Sequence, residues 1–330
     1  MKMKTRIGMC LALGAMVFAF AAQAQNAEFL AKGRTIDLWP KATPAGSGRA
    51  PAGRERVWRT GSGVGAVSNI GMPRMVVFQP PHPNGTAIVI MGGGGYFRIG
   101  IGHESVPTAK WLLALGVTPV ILYYRLPADG WKPVAPFQDG QRAVRLLRAK
   151  AHMLGIDPQR IGVLGFSAGG NLAGIVETRF KHDFYAPVDN ADQLSSRPDF
   201  AGLIYPVSSL KAPYDTTRTR RELLPQDNAE TAYTVQDHVT GHTPPTFIAH
   251  AADDPIVPVG ASRLLYKVLR EHGVPAELHV FRHGGHGWGL GMPGTATGQW
   301  PILFADWLAK HGWLTPEKPA SATSTMPAGR

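Results

Sequence analysis

The sequence predicts an α/β fold in which helices cover both faces of a mostly parallel β-sheet. Short apolar runs bounded by glycine and proline alternate along the chain with stretches of helical periodicity, which is the pattern of strands joined by crossover helices. The chain has 330 residues, of which 44% are hydrophobic and 17% are charged. This length and composition suffice for one sizeable core, and they favour neither a disordered chain nor a membrane-spanning bundle.

The individual elements follow from these patterns. Strands are predicted at residues 75–79, 86–91, 117–124, 161–166, 200–207, 246–250 and 276–281. Helices are predicted at residues 106–115, from Asp139 to Gly155, from Ser167 onward, and at residues 261–272. Residues 25 to about 60 contain much Gly, Pro, Ala and Arg with little periodicity, so we expect an irregular lead-in that ends in an edge strand or two by about residue 70.

The N-terminus has the pattern of an export signal. A positively charged start over residues 2–6 precedes an apolar stretch over residues 7–22, and Ala22-Gln23-Ala24 then supplies the small residues that signal peptidase requires. The apolar stretch is shorter than the ~20 residues of a membrane-spanning helix. We therefore expect residues 1–24 to be a signal peptide cleaved after Ala24, a mature chain without a membrane span, and a periplasmic or secreted protein.

The rest of the chain is predicted to form one domain. Its single cysteine, Cys10, lies within the predicted signal, so the mature chain is expected to have neither a disulfide nor a thiol nucleophile. Residues 25–315 carry the alternating strands and helices. Residues 316–330 are mostly Pro, Ala, Ser and Thr, and we expect this tail to be disordered.

The chain is basic, with a formal net charge of +11 and an isoelectric point near 9.9. A positive surface attracts acidic polymers, acidic envelope surfaces or nucleic acid, although ordinary solubility charge is the simpler interpretation. No block of five or six basic residues occurs, and basic and aromatic residues are not interleaved as in a nucleic-acid face. Nucleic acid is therefore not expected as a partner.

One motif indicates nucleophilic catalysis. Gly165-Phe166-Ser167-Ala168-Gly169 fits the G-x-S-x-G pattern of a nucleophile elbow, a tight strand-to-helix turn that exposes a serine hydroxyl above a sheet. A side chain at either glycine would collide with neighbouring backbone. The motif directly follows a predicted strand and opens a helix-compatible stretch, which is the context that such an elbow requires. An idle serine in a glycine-rich turn is the alternative.

A serine hydroxyl becomes nucleophilic when a base accepts its proton and a carboxylate orients that base. With a serine elbow, the expected chain order is Ser, then Asp or Glu, then His. His286 follows a predicted strand and has glycine on both sides, which favours it over His283. Asp254 begins an Asp-Pro-Ile-Val-Pro turn after another strand, which favours it over Asp253. We therefore predict Ser167, Asp254 and His286 as a catalytic triad.

An oxyanion that forms during acyl transfer needs backbone N–H donors aimed at it. Ala168, the residue after the serine, is predicted to supply one, and the glycine run over residues 92–95 after an early strand is predicted to supply another. This run lacks the motifs of a phosphate-binding loop. Tyr96 and Trp288 lie next to the two predicted loops and either line the acyl pocket or pack in the core. The histidines lack the spacing of a zinc site, so neither metal nor cofactor is expected.

Together these stretches resemble the α/β-hydrolases of the acetyl-xylan esterase type, including the bifunctional acetylxylan/feruloyl esterases. The resemblance lies in residues 92–104 (GGGGYFRIGIGHE), 124–127 (YRLP), 138–171, 195–207 and 244–290, and it covers most of the chain from about residue 60 to residue 313. It implies an α/β-hydrolase fold, the same triad, and an oxyanion hole formed by Gly94, Gly95 and Ala168.

Two departures from the family pattern concern the loop and the substrate. The family's loop usually reads Pro-Gly-Gly-Gly-Tyr, and Gly92 stands here in place of the proline, which is expected to loosen the loop. Residues 208–243 match the family poorly, and in such folds this insertion often covers the acyl pocket. The acyl group, the alcohol and the oligomeric state are therefore left open.

The function that the resemblance implies is removal of acetyl groups from plant polysaccharide or related carbohydrate esters. A feruloyl or general small-ester esterase is an alternative of the same class. A peptidase related to the prolyl oligopeptidases would share the triad order, but the chain has no room for their large N-terminal propeller. A non-catalytic binding module is disfavoured because the serine, the acid and the histidine are all present.

Overall fold

The structure is a computed structural model and describes residues 26–39, 43–44, 46–58 and 65–314. The strands of its main sheet are β1 (Arg34–Asp37), β4 (Arg74–Val77), β5 (Ala87–Met91), β7 (Thr118–Tyr123), β8 (Ile161–Phe166), β9 (Phe200–Ile204), β10 (Thr246–Ala251) and β11 (Ala276–Phe281). A smaller sheet contains β2 (Arg56–Val57), β3 (Ala66–Ser68) and β6 (Ile99–Gly100).

The main sheet has the strand order β1-β4-β7-β5-β8-β9-β10-β11. Every neighbouring pair from β7 to β11 is parallel, while β1 and β4 run antiparallel at one edge. The strands β5, β7, β8, β9 and β10 are buried along their whole length. Strands that are buried on both faces read as continuous apolar runs, which is why the sequence located them well.

The helices are α1 (residues 26–31), α2 (Val106–Ala114), α3 (Ala135–Ala149), α4 (Ala151–Leu154), α5 (Ala168–Thr178), α6 (Arg218–Leu223), α7 (Ala229–Ala232), α8 (Val259–Glu271) and α9 (Trp300–Lys310). Helices α3 and α5 pack against each other, because Gly140 of α3 leaves room for Val176 and Leu172 of α5. Trp111 of α2 packs edge-on against Trp300 of α9 with ring centroids 5.6 Å apart. No described helix is both long and apolar enough to cross a membrane.

Two details differ from the expected helices. Helix α3 begins at Ala135, with a proline in its first turn, and so Asp139 lies inside the helix and does not cap it. Its carboxylate instead forms a fully buried ion pair with Arg125, whose Nη2 lies 2.8 Å from Oδ1. Trp39 Nε1 donates to the same oxygen at 2.7 Å. Helix α9 was not predicted.

Glu177 of α5 is a buried carboxylate that makes stability depend on pH. Its Oε2 accepts a hydrogen bond from Thr246 Oγ1 at 3.0 Å, whereas its Oε1 has no partner among the described residues. Burial raises the pKa of Glu177 from 4.5 to about 8, although the Thr246 hydrogen bond opposes the shift. The folded state therefore binds more protons than the unfolded state, and stability falls as pH rises between these two pKa values.

We expect Glu177→Gln to remove this part of the pH dependence, since a neutral amide carries no desolvated charge. Urea unfolding of the wild type and the variant at about pH 5 and about pH 8 measures it. The variant should gain stability relative to the wild type at the higher pH. An equal difference between the two proteins at both pH values would contradict the prediction.

Candidate active site

Ser167 lies at the turn between β8 and α5, with φ 52° and ψ −116°. This sparsely populated conformation is typical of a nucleophile elbow. A Cβ at Gly165 would lie 2.1 Å from the carbonyl oxygen of Gly169, and one at Gly169 would lie 2.0 Å from the carbonyl oxygen of Met91. Both contacts are far too short, so the two glycines are required because the turn packs directly on neighbouring backbone.

His286 and Asp254 approach Ser167 from the loops after β11 and β10. The Ser167 Oγ lies 2.8 Å from His286 Nε2, and His286 Nδ1 lies 2.6 Å from Asp254 Oδ2. A carboxylate only accepts hydrogen bonds, so the network assigns the imidazole proton to Nδ1 and leaves Nε2 as the acceptor for the serine. The structure thus brings the three predicted residues into one hydrogen-bonded chain.

Four donors surround the carboxylate of Asp254. The backbone N–H groups of Ile256 and Val257 donate to Oδ1 at 2.8 and 2.9 Å, and the rings of His286 and His250 lie against Oδ2, His250 Nε2 at 3.1 Å. Burial by itself would raise the pKa of Asp254, but the hydrogen bonds from His250 and His286 outweigh it and hold the pKa well below its usual range. The Asp-Pro-Ile-Val-Pro turn supplies the backbone donors.

His250 is a member of the site that the sequence reasoning missed. It lies on β10, four residues before Asp254 in the sequence, and is fully buried. Its Nδ1 lies 2.8 Å from Ser262 Oγ on α8, and its Nε2 also lies 3.0 Å from the carbonyl oxygen of Val257. Since Nε2 faces two acceptors, it carries the proton, and His250 anchors the acid's carboxylate to the core.

The competing pair of His283 and Asp253 is not part of the hydrogen-bonded triad. Asp253 Oδ1 accepts the N–H groups of Gly284 and Gly285 at 2.9 and 2.8 Å, and its Oδ2 lies 3.2 Å from His283 Nδ1. The His283 side chain is 73% exposed. The hydrogen bond from Gly285, with smaller contributions from His283 and Gly284, lowers the pKa of Asp253. Asp253 therefore holds the start of the loop that carries His286.

The glycine loop lies against the elbow. A Cβ at Gly93 would lie 2.9 Å from Ser167 Cβ, so the loop backbone is in contact with the serine. Gly94 and Gly95 have φ values of 125° and 62°, conformations that favour glycine. The N–H groups of Gly94, Gly95 and Ala168 have no hydrogen-bond acceptor within the described parts of the chain. They are therefore available to a negative charge beside Ser167.

Gly92, which stands in place of the family's proline and was expected to loosen the loop, is closely packed. A Cβ at Gly92 would lie 2.7 Å from the carbonyl oxygen of Gly100 and 2.8 Å from Ser105 Oγ, so this position has no space for a side chain. Tyr124 donates its hydroxyl to the Gly92 carbonyl at 2.6 Å, and the Gly100 N–H donates to the Gly93 carbonyl at 2.8 Å. These contacts hold the loop tightly without the proline of the family pattern.

Ser167 and His286 open into a cavity of about 440 Å³. The segment 208–243 contributes Thr217, Arg218 and Thr219 to its wall, so the poorly matching insertion does cover the site. Tyr96 and Trp288, for which both pocket lining and core packing were left open, are not among the residues that line this cavity. Both side chains pack on other residues behind the loops.

Tyr96 and Trp288 are packing residues. Tyr96 is fully buried, and its hydroxyl donates to Asn171 Oδ1 at 3.0 Å. Its φ of 60° is a backbone conformation that residues other than glycine rarely adopt. The Trp288 ring packs edge-on against Tyr205 with centroids 4.6 Å apart. Both residues are adjacent in sequence to a catalytic loop, but neither ring lines the cavity.

Glu104 links the glycine loop to the histidine loop. Its Oε2 accepts the N–H of Gly93 at 2.5 Å, and its Oε1 accepts the Tyr205 hydroxyl at 2.9 Å. The same hydroxyl accepts the N–H of Gly289 at 3.0 Å, and the Tyr205 ring packs 4.9 Å from the His286 ring. Burial raises the pKa of Glu104, an effect that the two hydrogen bonds partly offset. No spacing or motif in the sequence singled out Glu104, whose neighbours His103 and Ser105 are also polar.

Glu104→Gln is expected to lower kcat for ester hydrolysis by roughly 10- to 100-fold, because an amide accepts only one of the two hydrogen bonds and losing one costs about 1.5–3 kcal/mol. We expect KM to change little and the thermal midpoint to fall by only the few degrees that one lost buried hydrogen bond costs. Steady-state kinetics and thermal unfolding of the same preparation measure this split. A loss of kcat that merely follows a loss of folded protein would contradict a positioning role.

Metal coordination has no evident place in the site. Within the described ranges, no group of three or more His, Cys, Asp or Glu residues is arranged to hold a metal ion. The polar and charged side chains that line the cavity belong to Arg98, His103, Glu104, Ser167, Thr217, Arg218, Thr219 and His286.

A parallel sheet with antiparallel strands at one edge, a serine elbow after β8, and an acid and a histidine after β10 and β11 define an α/β-hydrolase fold. The chain belongs to the BD-FAE family, whose model matches residues 76–269.

The proteins that this chain resembles include esterases and an acetyl ester-xyloside hydrolase by name. An acetylxylan esterase from Xylanibacter ruminicola is 32% identical over 232 residues, which are 68% of this chain and 45% of that protein. The chain thus spans less than half of the length of that curated relative. The crystal structure of an acetyl ester-xyloside bifunctional hydrolase from Caldicellulosiruptor lactoaceticus has a TM-score of 0.73 and 34% identity, covering 86% of this chain and 97% of that one. A propionate-bound thermophilic esterase from Thermogutta terrifontis has a TM-score of 0.65 and 25% identity, covering 82% and 98%.

Proposed function

We propose that this protein is a serine carboxylester hydrolase that removes acetyl groups from xylan or related carbohydrate esters through an acyl-enzyme on Ser167. The observation that carries the proposal is the hydrogen-bonded chain of Ser167, His286 and Asp254, beside three N–H donors that have no acceptor among the described residues. The names of the acetylxylan esterase and the acetyl ester-xyloside hydrolase support acetylated xylan as the substrate class.

In the proposed reaction, Ser167 Oγ attacks the ester carbonyl while His286 Nε2 accepts its proton. The negative charge that forms on the carbonyl oxygen is stabilised by the N–H groups of Gly94, Gly95 and Ala168. One donor of this kind typically lowers the activation free energy by about 3–4 kcal/mol. The tetrahedral intermediate then collapses, and His286 returns the proton to the leaving sugar oxygen. In the second half-reaction, His286 accepts a proton from water, which attacks the acyl-enzyme carbonyl. His286 then returns the proton to Ser167 Oγ as acetate leaves.

Asp254 has a supporting role in this scheme. Its carboxylate fixes the Nδ1–H tautomer of His286 and stabilises the imidazolium that forms in each half-reaction. The donors around it hold its pKa well below its usual range, so the carboxylate stays ionised through the mildly acidic pH range.

We further propose that residues 1–24 direct export and are removed, so that residues 25–315 act as one α/β-hydrolase domain in the periplasm or outside the cell. Both this segment and residues 316–330 lie outside the described residues. A polymeric substrate outside the cytoplasm agrees with export. N-terminal sequencing of the protein recovered from cell fractions tests the cleavage after Ala24, and a retained N-terminus would contradict it.

The test of the proposed function is a substrate panel for residues 25–330. Acetylated xylan, p-nitrophenyl acetate, methyl ferulate and a prolyl anilide are assayed side by side. We expect release of acetate from xylan and of nitrophenol from the small ester, with no cleavage of the prolyl amide. Feruloyl activity without deacetylation would favour the alternative esterase, and amide cleavage would favour the peptidase.

A further inference from the structure

Two arginines flank the glycine loop inside the cavity. Arg98 follows the glycine loop by three residues, and Arg218 is the first residue of α6 in the covering segment. Both arginines line the cavity with Ser167. A Cβ at Gly94 would lie 2.8 Å from Arg98 Cγ, and one at Gly95 would lie 2.9 Å from Arg218 Cγ. The stems of both side chains therefore pack on the two residues whose N–H groups face the proposed oxyanion.

The two guanidinium groups share one aromatic ring. Arg98 Cζ lies 5.0 Å and Arg218 Cζ lies 4.7 Å from the centroid of the Phe97 ring. The Trp58 ring packs edge-on against Phe97 with centroids 6.4 Å apart and is 41% exposed. The cavity mouth thus presents two cations next to an accessible aromatic surface, a combination that suits a sugar ring with a negative substituent.

The charges of this wall are only partly balanced by carboxylates. Arg218 Nε donates to Glu222, which leaves its two terminal nitrogens for other partners. Arg98 has no carboxylate partner among the residues that the structure describes. Glu104 is the carboxylate in the cavity wall, and its two oxygens are occupied by Gly93 and Tyr205. A substrate carboxylate would therefore find the Arg98 guanidinium and the two terminal nitrogens of Arg218 as donors.

We propose that Arg98 and Arg218 form a subsite for a carboxylate on the alcohol part of the ester, so that acylated sugars bearing a uronic acid are preferred substrates. This inference rests on the proposed function and adds the chemical class of the alcohol. A planar guanidinium binds a carboxylate through two parallel hydrogen bonds, which fixes orientation as well as charge. An acetyl group has no place for a carboxylate, so the charge recognised here belongs to the sugar.

The experiment compares 4-acetoxybenzoate with its neutral isostere 4-acetoxybenzamide. The wild type, Arg98→Gln, Arg218→Gln and the double variant are assayed, with Arg221→Gln as the control. Arg221 lies on the same helix and is exposed, but it does not line the cavity. It therefore controls for the loss of one positive charge on this surface.

We expect kcat/KM for the anionic ester, divided by that for the neutral one, to fall roughly 10-fold in each single variant, because each loses a charge-assisted hydrogen bond. The ratio should fall further in the double variant and hold in Arg221→Gln. Raising the salt concentration should lower the same ratio in the wild type. An unchanged ratio in the double variant, or an equal fall in Arg221→Gln, would overturn the subsite.

Two further arms separate the possible failures. If Arg98→Gln and Arg218→Gln change selectivity only for mono-4-nitrophenyl succinate against 4-nitrophenyl butyrate, the carboxylate belongs to the acyl part and the assignment to the alcohol is wrong. Acetylated xylan with and without its uronic acid groups extends the comparison to polymer, and equal deacetylation of both would overturn the polysaccharide preference. If neither acetoxy ester is hydrolysed in a Ser167-dependent way, the proposed function itself fails.

Discussion

Ser167→Ala is expected to lower kcat for p-nitrophenyl acetate hydrolysis by roughly 10⁴- to 10⁶-fold, the scale on which losing the nucleophile of such a triad acts. The reason is chemical, because alanine offers no oxygen that can form the acyl-enzyme. Residual hydrolysis by bound water next to the N–H donors sets the lower limit of the effect. Initial rates at saturating substrate measure it, with contaminating esterases excluded by active-site titration.

The control for this change is Ser196→Ala. Ser196 is also buried, and its hydroxyl donates to the Phe180 carbonyl at 3.1 Å away from the cavity. We expect its variant to keep nearly full activity. Hydrolysis that survives Ser167→Ala at more than about one per cent of the wild-type rate would contradict a serine nucleophile.

Asp254→Asn is expected to lower kcat by about 10⁴-fold, with some loss of stability because His250 Nε2 keeps only the Val257 carbonyl as an acceptor. The backbone N–H groups of Ile256 and Val257 need an oxygen opposite them, so the asparagine amide nitrogen is turned toward His286 Nδ1. The imidazole proton then moves to Nε2, and the ring no longer accepts the proton of Ser167. Kinetics at several pH values measure the effect, and the loss should persist across neutral pH.

The matched control for this change is Asp253→Asn. An amide oxygen at this position still accepts the N–H groups of Gly284 and Gly285, so the loss of activity should stay below about tenfold. Comparable losses in the two variants would mean that the loop position, and not the Asp254 hydrogen bond, controls the rate. Such a result would contradict the assignment of Asp254 as the acid.

Much of the fold follows from local patterns in the sequence. Strands β8 and β11 have the predicted bounds, because a continuous apolar run bounded by turn residues identifies a buried or half-buried strand. The elbow at Ser167 lies where its motif and its flanking elements placed it. The start of α3 was predicted too late because Asp139 resembles a helix cap, and only tertiary structure shows that Arg125 holds its carboxylate.

The supporting groups of the site were not predictable in the same way. Glu104 contacts Tyr205 across 101 positions of sequence, and Tyr205 in turn contacts Gly289 across 84. No periodicity or spacing connects residues that meet only because β5, β9 and β11 end at the same edge of the sheet. Tyr96 shows the opposite case, because it lies next to a catalytic loop in the sequence but its side chain is buried in the core.

The measurement that tests the central claim most directly is mass analysis of the acyl-enzyme. The protein is mixed with an acetyl ester, quenched in acid during turnover and digested, and the acetyl group is located by fragmentation. The proposed mechanism predicts one acetyl group on the peptide that contains Ser167, and no acetylated peptide in Ser167→Ala. Turnover without any acetylated serine, or acetylation of a different residue, would contradict it.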